Sequence, residues 1–399
     1  MRLSSAAASM LAFGMLGISS AASAAPVHKS IFKEGASSTG WIDFEFQDGK
    51  RIFVPVKING HDAMVLLATG LPVSDIDKTF AASIGLQPKD SAKALGTSGD
   101  DTASLIHGLQ IQIGNLTLQD DTASAVDFAP LAKHIGHPLP VLLGDDAFNE
   151  LAVDIDFAHH RIAFRDPASQ TKPDGAVEVP LIRVEDLHLV PVSIEGAPPA
   201  QFELGLGNSG EILVYQPYYE PHKLLEDRRV SKRLSAGTGG FIPETVATLS
   251  RAEFAGVTFV NMPAAFIPPN VAGTKSDVIA GDIGLPVLSH FRLIIDYSHD
   301  RLYAVPYADA ARAPFAKDRL GLALNKEDTG FAVEFIAPNS PAQTAGFKVG
   351  DKITLIDGKS VQAWPETVFA DLKYGASGTN LVFTMKSGDV RQVKLADYF

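Results

Sequence analysis

Two short loops in this chain have residue types and spacing suited to a hydrogen-bonding site. The loops are Leu66-Leu67-Ala68-Thr69-Gly70 and Glu203-Leu204-Gly205-Leu206-Gly207-Asn208-Ser209-Gly210. Each follows an apolar run with the pattern of a strand, and that strand would position the loop. Thr69, Asn208 and Ser209 can donate and accept hydrogen bonds. Ala68 and Gly205, at matching places, have no group that binds a proton.

The two loops belong to an internal repeat. The segment Val54-Pro55-Val56-Lys57-Ile58-Asn59-Gly60 recurs as Val190-Pro191-Val192-Ser193-Ile194-Glu195-Gly196. In both copies apolar and polar residues alternate up to a glycine, which predicts a half-buried strand entering a hairpin. Further along, three residues recur 140 positions later, Gly144, Asp156 and Arg161 as Gly284, Asp296 and Arg301. The sequence therefore predicts two copies of one fold, at residues 39–166 and 177–307.

Composition limits the classes of function that this chain can have. Its 399 residues are enough for two or three domains with ordinary cores. A hydrophobic content of 46% with 20% charged residues is typical of a folded globular protein. The formal net charge of -12 comes without a basic stripe to offset it, which argues against nucleic acid as a partner.

The N-terminus has the features of a secretory signal peptide covering residues 1–24. Arg2 supplies a positive charge, residues 10–18 form a short apolar core, and Ala22-Ser23-Ala24 resembles a cleavage site. The apolar core is too short to span a bilayer, and no other segment approaches the required length. The chain has no cysteine, so stability after export would come from packing and not from disulfide bonds. These features predict a periplasmic or secreted bacterial protein.

Three segments have the composition of connections between domains. Residues 25–38 are small and polar, and we expect them to form a leader before the first domain. Residues 166–175 contain two prolines and several polar side chains, which is typical of a linker. Residues 308–317 are rich in alanine and contain Pro314, and they form the third boundary.

Residues 319–399 resemble a PDZ domain of the kind found in bacterial envelope proteases. The stretches that carry the resemblance are Ser340-Pro341-Ala342, Ala345-Gly346-Phe347 and Gly350-Asp351-Lys352-Ile353. The resemblance implies that backbone N–H groups of Leu320-Gly321-Leu322 accept a peptide carboxylate, and that the following strand pairs with the peptide. A helix near residues 366–373 would form the other wall of the groove. A PDZ fold that only packs against its neighbour is the alternative.

The repeat units resemble retropepsin-like aspartic protease domains. In the first copy, the apolar-apolar-x-Thr-Gly loop precedes Val73 to Ile76 and a helix ending at Ile84-Gly85-Leu86. In the second copy, Gly207-Asn208-Ser209-Gly210 and Ile283-Gly284-Leu285-Pro286 agree with the family pattern. Two such β-barrel domains in tandem imply the architecture of a retropepsin dimer within one chain. The expected fold class is mainly β, with an α+β PDZ domain at the C-terminal end.

The resemblance implies a catalytic pair that this chain lacks. In the family, one Asp from each half shares a proton with the other, and the pair activates a water molecule. Ala68 and Gly205 occupy those positions, and Leu206 replaces a hydroxyl residue that braces the loops. Losing one member of an acid–base set removes about 10²–10⁴-fold from the rate, so we expect no catalytic residues. The residues expected to line the remaining cleft are Thr69, Gly70, Asn208 and Ser209.

Three other acids are candidates for replacing the missing pair. Glu203 lies two positions before Gly205 and therefore points to the same face of its strand. Asp75 and Asp77 follow the first loop. Surface positions or helix capping account for all three acids more simply, and Asp75 suits the first turn of the following helix.

Two glycine stretches and several histidines have structural interpretations. Gly96-Thr97-Ser98-Gly99 and Gly237-Thr238-Gly239-Gly240 fall where the family's flap hairpins would lie, and no Gly-Lys-Ser/Thr follows to make a phosphate loop. The histidines without the companions of a metal site are His134, His137, His159 and His160. We interpret them as loop residues and expect no metal and no cofactor.

The predicted function is peptide or polypeptide binding without cleavage, through the inherited cleft and the PDZ groove. Partners would be peptides, protein C-termini or envelope proteins. The alternative from the enzyme class is an active aspartic endopeptidase that uses non-standard acids, and a purely structural protein is the third reading. The sequence determines neither the ligand nor the oligomeric state, and a monomer is compatible with it.

We expect the mature protein to begin at Ala25 and to be recovered from the periplasm of a bacterial host, because the signal features end at residue 24. N-terminal sequencing of the periplasmic fraction measures this directly. As a control, Leu11→Arg interrupts the apolar core and should keep the protein in the cytoplasm. An intact Met1 on the periplasmic protein would contradict the prediction.

Overall fold

The protein is mainly β, as the sequence predicts, and the strands of its described residues form four sheets. The computed structural model describes residues 17–18, 29–71, 73–96, 99–120, 123–184, 187–237, 240–268, 278–362, 364 and 366–399. The expected cleavage site Ala22-Ser23-Ala24 lies outside the described residues, as do Thr97, Ser98, Thr238 and Gly239 of the flap stretches. Among the residues described, no helix has the length and apolar character needed to cross a membrane.

In the described chain, the first sheet has twelve strands, of which all but β1 and β2 come from the first repeat. Its strands are β1 (Gly17–Ile18), β2 (Lys29–Phe32), β4 (Glu45–Gln47), β5 (Arg51–Ile58), β6 (His61–Leu67), β7 (Asp75–Asp77), β8 (Pro88–Gly96), β9 (Gly99–Ile106), β10 (Leu109–Ile113), β11 (Leu116–Asp120), β12 (Ala123–Val126) and β13 (Val141–Leu143). The strand order is β1-β8-β9-β12-β7-β13-β6-β5-β10-β11-β2, with β4 beside β5. Helices α1 (Lys78–Ser83) and α2 (Ala129–Ile135) belong to the same unit. The segment expected to be a leader contributes β2, which pairs with β11.

The second sheet has eight strands and is built from the second repeat. Its strands are β17 (Ile182–Val184), β18 (Leu187–Ile194), β19 (Ala200–Gly205), β20 (Ile212–Tyr215), β21 (Ser231–Gly237), β22 (Gly240–Phe254), β23 (Val257–Ile267) and β24 (Ile279–Gly284). The short helices α3 (Gln216–Tyr219) and α4 (Leu285–Leu288) accompany it.

The two sheets have the same strand order. The second sheet runs β18-β19-β24-β20-β23-β22-β21, and the first contains β5-β6-β13-β7-β12-β9-β8. The directions also agree, because β19 is parallel to β24 as β6 is to β13, and β20 is parallel to β23 as β7 is to β12. In the β8–β9 and β21–β22 hairpins, Gly96 is paired with Gly99 and Gly237 with Gly240. The outer glycines of both stretches are therefore the last paired residues of two hairpins.

A third, joining sheet combines strands from both repeats. Its strands are β3 (Ile42–Asp43), β14 (Ala152–Asp156), β15 (Arg161–Arg165), β16 (Val177–Pro180), β25 (Phe291–Asp296) and β26 (Arg301–Pro306). The order is β16-β26-β25-β14-β15-β3, so the central pair β14–β25 crosses from one unit to the other. Asp154, with 1% of its side chain exposed, accepts from Arg165 Nη2 at 3.0 Å and from Arg292 Nη2 at 2.8 Å. One apolar core runs through both units.

The repeated Asp-x-x-x-x-Arg spacing forms the same corner in each half. Asp156 Oδ2 accepts from Arg161 Nε at 3.0 Å and lies 2.8 Å from His159 Nδ1. The equivalent contacts are made by Asp296, Arg301 and His299. In both halves, charge-assisted hydrogen bonds fix the turn between two strands of the joining sheet. The spacing in the sequence is therefore explained by a structural contact.

The C-terminal unit has its own sheet and its own core. Its elements are β27 (Leu322–Glu327), β28 (Gly330–Ile336), α5 (Pro341–Thr344), β29 (Lys352–Ile356), β30 (Lys359–Ser360), α6 (Glu366–Lys373), β31 (Asn380–Met385) and β32 (Val390–Lys394). The sheet order is β27-β28-β29-β31-β32, with β30 beside β29. Ser340 caps α5 by accepting from Gln343 N at 3.1 Å, and Pro341 occupies the first turn. Helix α6 lies where the sequence predicts it.

Candidate functional site

The two loops singled out in the sequence meet between the first and second sheets. Thr69 Oγ1 donates to the carbonyl oxygen of Leu204 at 2.6 Å and accepts from Leu206 N at 2.9 Å. Thr69 is 5% exposed, so loss of either bond would leave a buried backbone group unpaired, at a cost of about 1–3 kcal/mol. Leu206 has no hydroxyl with which to return the contact. Only the first loop therefore supplies a side-chain hydroxyl to the contact between the loops, as expected from Leu206.

Ala68 lies in a closed apolar cluster. Its methyl group is buried with Leu66 and Leu142, which come from β6 and β13. Leu131 and Ile135 of α2 belong to the same cluster. Burial of this apolar surface stabilises the fold, but none of these side chains can bind a proton or orient a water molecule. The first loop therefore has no acid of its own.

Gly205 lies directly against a carboxylate from another strand. A Cβ built on Gly205 would be 2.7 Å from Cγ and Oδ2 of Asp282, and closer still to Oδ1. Any side chain at position 205 would therefore require Asp282 to move. Asn208 Nδ2 holds the carboxylate by donating to Asp282 Oδ1 at 2.9 Å. The Asp282 carboxylate lies beside the position where the family resemblance places an aspartate.

Strand register explains how this carboxylate reaches the loop. Strands β19 and β24 are parallel, with Glu203 opposite Asp282. Side chains two positions apart on a strand share a face, so Glu203, Asp282 and position 205 point to one side of the sheet. At the equivalent register of the first sheet, Leu66 is opposite Leu142. An apolar pair in one unit is therefore an acidic pair in the other.

Glu203 and Asp282 are a buried acidic pair with shifted protonation. Their exposed fractions are 3% and 1%. Burial, followed by the charge of Asp282, raises the pKa of Glu203 well above its ordinary range. Burial also raises the pKa of Asp282 to about 7, against the opposing hydrogen bond from Asn208. Tyr215 donates from its hydroxyl to Glu203 Oε1 at 3.1 Å. Two adjacent buried carboxyl groups do not both ionise, so the pair keeps a proton at neutral pH.

The positions of the acids correct the expected roles of Glu203 and Asp75. Neither is a surface residue, because each is almost fully buried. Asp75 lies in β7, between β12 and β13, and not in the first turn of α1 as expected. Burial raises the pKa of Asp75 to about 8. Asp77 is the residue that caps α1, with Oδ1 accepting from Phe80 N at 2.8 Å. Strand pairing through residue 77 delays the start of the helix.

The residues expected to line an open cleft are instead buried. These residues are Thr69, Gly70, Asn208 and Ser209. Asn208 Oδ1 accepts from Gly210 N at 2.8 Å while its Nδ2 holds Asp282, so its amide fixes the second loop. Thr69 bonds to the opposite loop, whereas Asn208 bonds to its own loop and to Asp282. That these four residues line a cleft stays a prediction.

A buried aspartate–histidine pair also links the two sheets. His188 Nδ1 of β18 lies 2.8 Å from Asp145 Oδ2, and both side chains are 3% exposed. Burial raises the pKa of Asp145, and the contact with His188 opposes that shift. The His188 ring packs edge-to-face on Tyr297, with centroids 4.5 Å apart. The Leu143-Gly144-Asp145-Asp146 element is a signal for the aspartate, but nothing local in the sequence identifies its partner.

The histidines do not gather into a metal site in the described part of the chain. His137 Nδ1 lies 2.8 Å from the Pro138 carbonyl oxygen, and His159 contacts Asp156. The side chain of His134 lies outside those described. Across the residues whose side chains are described, no group of three His, Asp, Glu or Cys could hold a metal ion.

The loop that opens the PDZ-like groove has the expected backbone and an unexpected partner. Gly321 has φ +78°, and a Cβ there would lie 2.6 Å from Ser340 Oγ, so glycine is required. Leu320 N and Gly321 N both donate to Asp318 Oδ1 at 2.8 Å. Leu322 begins β27 directly after the loop. Two N–H groups expected to receive a peptide carboxylate already bind a carboxylate of this chain.

Two protein families match parts of this chain. Residues 54–147 match the aspartyl protease family. Residues 313–383 match the PDZ domain family. The chain therefore contains an aspartyl protease-like domain and a C-terminal PDZ domain, as the sequence predicts. No curated protein gives a significant match to the chain.

The acidic pair predicts how stability changes with pH. An aspartate in an unfolded chain titrates near 3.9, whereas folded Asp282 has a pKa of about 7. The folded state therefore binds more protons between about pH 4 and 7, and the free energy of unfolding falls as the pH rises through that window. We expect Asp282→Asn to flatten this part of the profile, as measured by urea unfolding. Asp174→Asn, at an exposed linker position, should leave it unchanged. Parallel profiles for wild type and Asp282→Asn would contradict the assignment.

Proposed function

We propose that this chain is an exported, aspartyl protease-like protein that binds polypeptides without cleaving them. The observation that carries the proposal is the set of residues where the loops at Ala68 and Gly205 meet, which we call the loop junction. Hydrolysis of the aspartic type requires a carboxylate from each loop, sharing a proton across a bound water. Ala68 offers a methyl group in an apolar cluster, and the carboxylates beside Gly205, those of Asp282 and Glu203, both come from the second unit. No pair can therefore form across the junction.

The proposal includes a tandem of two protease-like units. Two features support it: the shared strand order of the first and second sheets, and the Thr69 hydrogen bonds between their loops. The joining sheet, in which β14 pairs with β25, also supports it. A retropepsin dimer fused into one chain would have all three features. Under this proposal, each half of an originally symmetric site has lost its aspartate, at Ala68 in the first unit and at Gly205 in the second.

Peptide binding is assigned to the edge of the PDZ sheet. In the described chain, β27 pairs with β28 alone, so the other edge of β27 can accept an added strand. Helix α6 contributes Phe369 and Leu372 to the apolar core behind that edge. A bound peptide would gain main-chain hydrogen bonds from the strand and apolar contacts from its alternate side chains.

We expect the purified mature protein to leave a reduced, carboxymethylated polypeptide intact between pH 3 and 7, because the junction lacks a carboxylate pair. Mass spectrometry of the products measures this. The variant Ala68→Asp with Gly205→Asp and Asp282→Leu supplies both acids and copies the apolar Leu142 of the first unit. It should gain traces of cleavage at acid pH. Cleavage by the wild type that a statine-type inhibitor blocks would overturn the proposal.

The matched control for this variant omits the third substitution. Ala68→Asp with Gly205→Asp alone leaves Asp282 in the space that the new side chain needs. We expect this double variant to be less stable than the triple variant in urea unfolding, since the overlap forces a shift in a closely packed site. Equal stabilities would contradict the placement of Asp282.

One observation favours a second candidate, an aspartic endopeptidase with a displaced acid. The Asp282 carboxylate contacts Gly205, and Glu203 lies opposite it on the neighbouring strand. Two carboxyl groups with raised pKa values form an acid–base pair in principle, and here both would come from one unit. The burial of both side chains opposes this candidate, because a substrate carbonyl could not reach them without movement of the loops.

The second candidate predicts acid-pH cleavage that depends on Asp282. Under it, kcat/KM at pH 4 should fall about 10²-fold or more in Asp282→Asn, the loss expected for one member of an acid–base pair. Asp75→Asn removes a buried acid of raised pKa that belongs to the first unit and not to the Glu203–Asp282 pair, and it should leave the rate unchanged. A wild type without cleavage contradicts this candidate and supports the binding function.

A further inference from the structure

The loop at the start of the PDZ groove is already occupied by a carboxylate. Asp318 Oδ1 accepts from Leu320 N and from Gly321 N, both at 2.8 Å. These N–H groups belong to the loop that would otherwise hold the terminal carboxylate of a peptide. A second carboxylate here would find two donors already used and a like charge nearby, which lowers its affinity.

Contacts from two other segments keep Asp318 in place. Arg319, the next residue, donates from its backbone N to the Lys373 carbonyl oxygen at 2.8 Å and from Nε to Asp397 Oδ1 at 2.6 Å. Tyr398 is 3% exposed and shares a side-chain hydrogen bond with Asp318. Burial and the Asp318 charge raise the pKa of Tyr398, so its hydroxyl stays protonated and donates. The capping carboxylate is therefore part of the packed structure.

A shallow depression adjoins this loop where the PDZ domain meets the second unit. Its non-atom space is about 550 Å³, most of which is open to solvent. The PDZ residues that line the depression include Gly321, Leu322 and Ala323, and those of the second unit include Leu234, Val246 and Pro263. A peptide that ends at the loop gains nothing from this space, but a chain that passes the loop can enter it.

At the end of the groove away from the Leu320–Leu322 loop, a lysine side chain links the strand to the segment before the helix. Lys326 Nζ donates to the carbonyl oxygens of Val361, Gln362 and Trp364 at 2.9, 2.6 and 2.7 Å. These bonds tie the last part of β27 to the segment that leads into α6. They set the separation between the strand and the helix. Because the donor is a side chain, the backbone N–H and C=O groups at the edge of β27 stay available for a peptide.

We propose that the PDZ groove of this chain binds extended peptide segments that run past the loop, and that Asp318 excludes recognition of a C-terminal carboxylate. This inference rests on the proposed peptide-binding function and names its ligand class: internal or C-terminally blocked segments in extended conformation. Asp318 is the residue that determines this specificity, because it supplies the charge and occupies the donors. The depression beside Gly321 receives the continuing chain.

The test compares three forms of one labelled, extended peptide of about ten residues with alternating apolar side chains. The forms are the free acid, the C-terminal amide, and the same sequence lengthened by Gly-Ser-Gly. Fluorescence anisotropy with the full mature chain measures each affinity. We expect the wild type to bind the amide and the lengthened form at least as tightly as the free acid. A wild type that prefers the free acid by about tenfold or more, a difference of 1.4 kcal/mol, overturns the proposal.

Matched variants separate specificity from binding itself. Asp318→Ala frees both N–H groups and should raise affinity for the free acid about tenfold relative to the amide, because charge-assisted hydrogen bonds then form. Asp318→Asn keeps an oxygen on the loop but removes the charge, so its preference between acid and amide should lie between those of the wild type and Asp318→Ala. Asp328→Ala removes an exposed acid from the turn after β27 and controls for general charge. Equal acid and amide affinities in folded Asp318→Ala contradict the role of Asp318. No binding of any form to any variant contradicts the proposed peptide-binding function, and this inference with it.

Discussion

The arrangement of the two loops at Ala68 and Gly205 depends on one buried hydroxyl group. Thr69 Oγ1 satisfies a carbonyl of the opposite loop and receives one of its N–H groups, so a single side chain pairs two backbone groups that would otherwise be buried without partners. This constraint joins the loop after β6 to the end of β19. Ala68 has a small side chain and Gly205 has none. Neighbouring side chains must fill the space beside them, because closely packed interiors do not tolerate voids.

The two halves compensate in different ways. Around Ala68 the space is filled by leucines and by α2, and the result is an apolar cluster. Around Gly205 it is filled by Asp282, and the result is an acidic pair that binds a proton well above the ordinary pKa of a carboxyl group. The second solution costs stability at neutral pH, because burial penalises the charged form. It also makes the glycine indispensable, since the carboxylate occupies the place of its Cβ.

The PDZ domain is connected to the first and second units through charged and polar contacts. Glu211 of the second unit is 3% exposed, and burial raises its pKa against the opposing charges of Lys50 and Arg233. Lys50 of the first unit donates to the hydroxyl of Tyr374 at the end of α6, at 3.2 Å. Groups from all three units therefore meet near the end of the groove that the Leu320–Leu322 loop forms. The neighbours shape that end, and the environment of the PDZ loop differs from that of an isolated domain.

The sequence by itself determined the features that depend on local pattern: the repeat, the mainly β class, the PDZ domain, helix α6 and the absence of acids at Ala68 and Gly205. Alternation of apolar residues, turn glycines and capping residues act over a few positions, so they can be read along the chain. Only the tertiary structure decided that Asp282 lies against Gly205, that Asp145 meets His188 and that Asp75 is buried in a strand. These contacts join residues far apart in sequence, and strand register selects them. A shift by one position would turn each side chain to the opposite face of its sheet, so the pairing of strands, and not the residue types, defines the site.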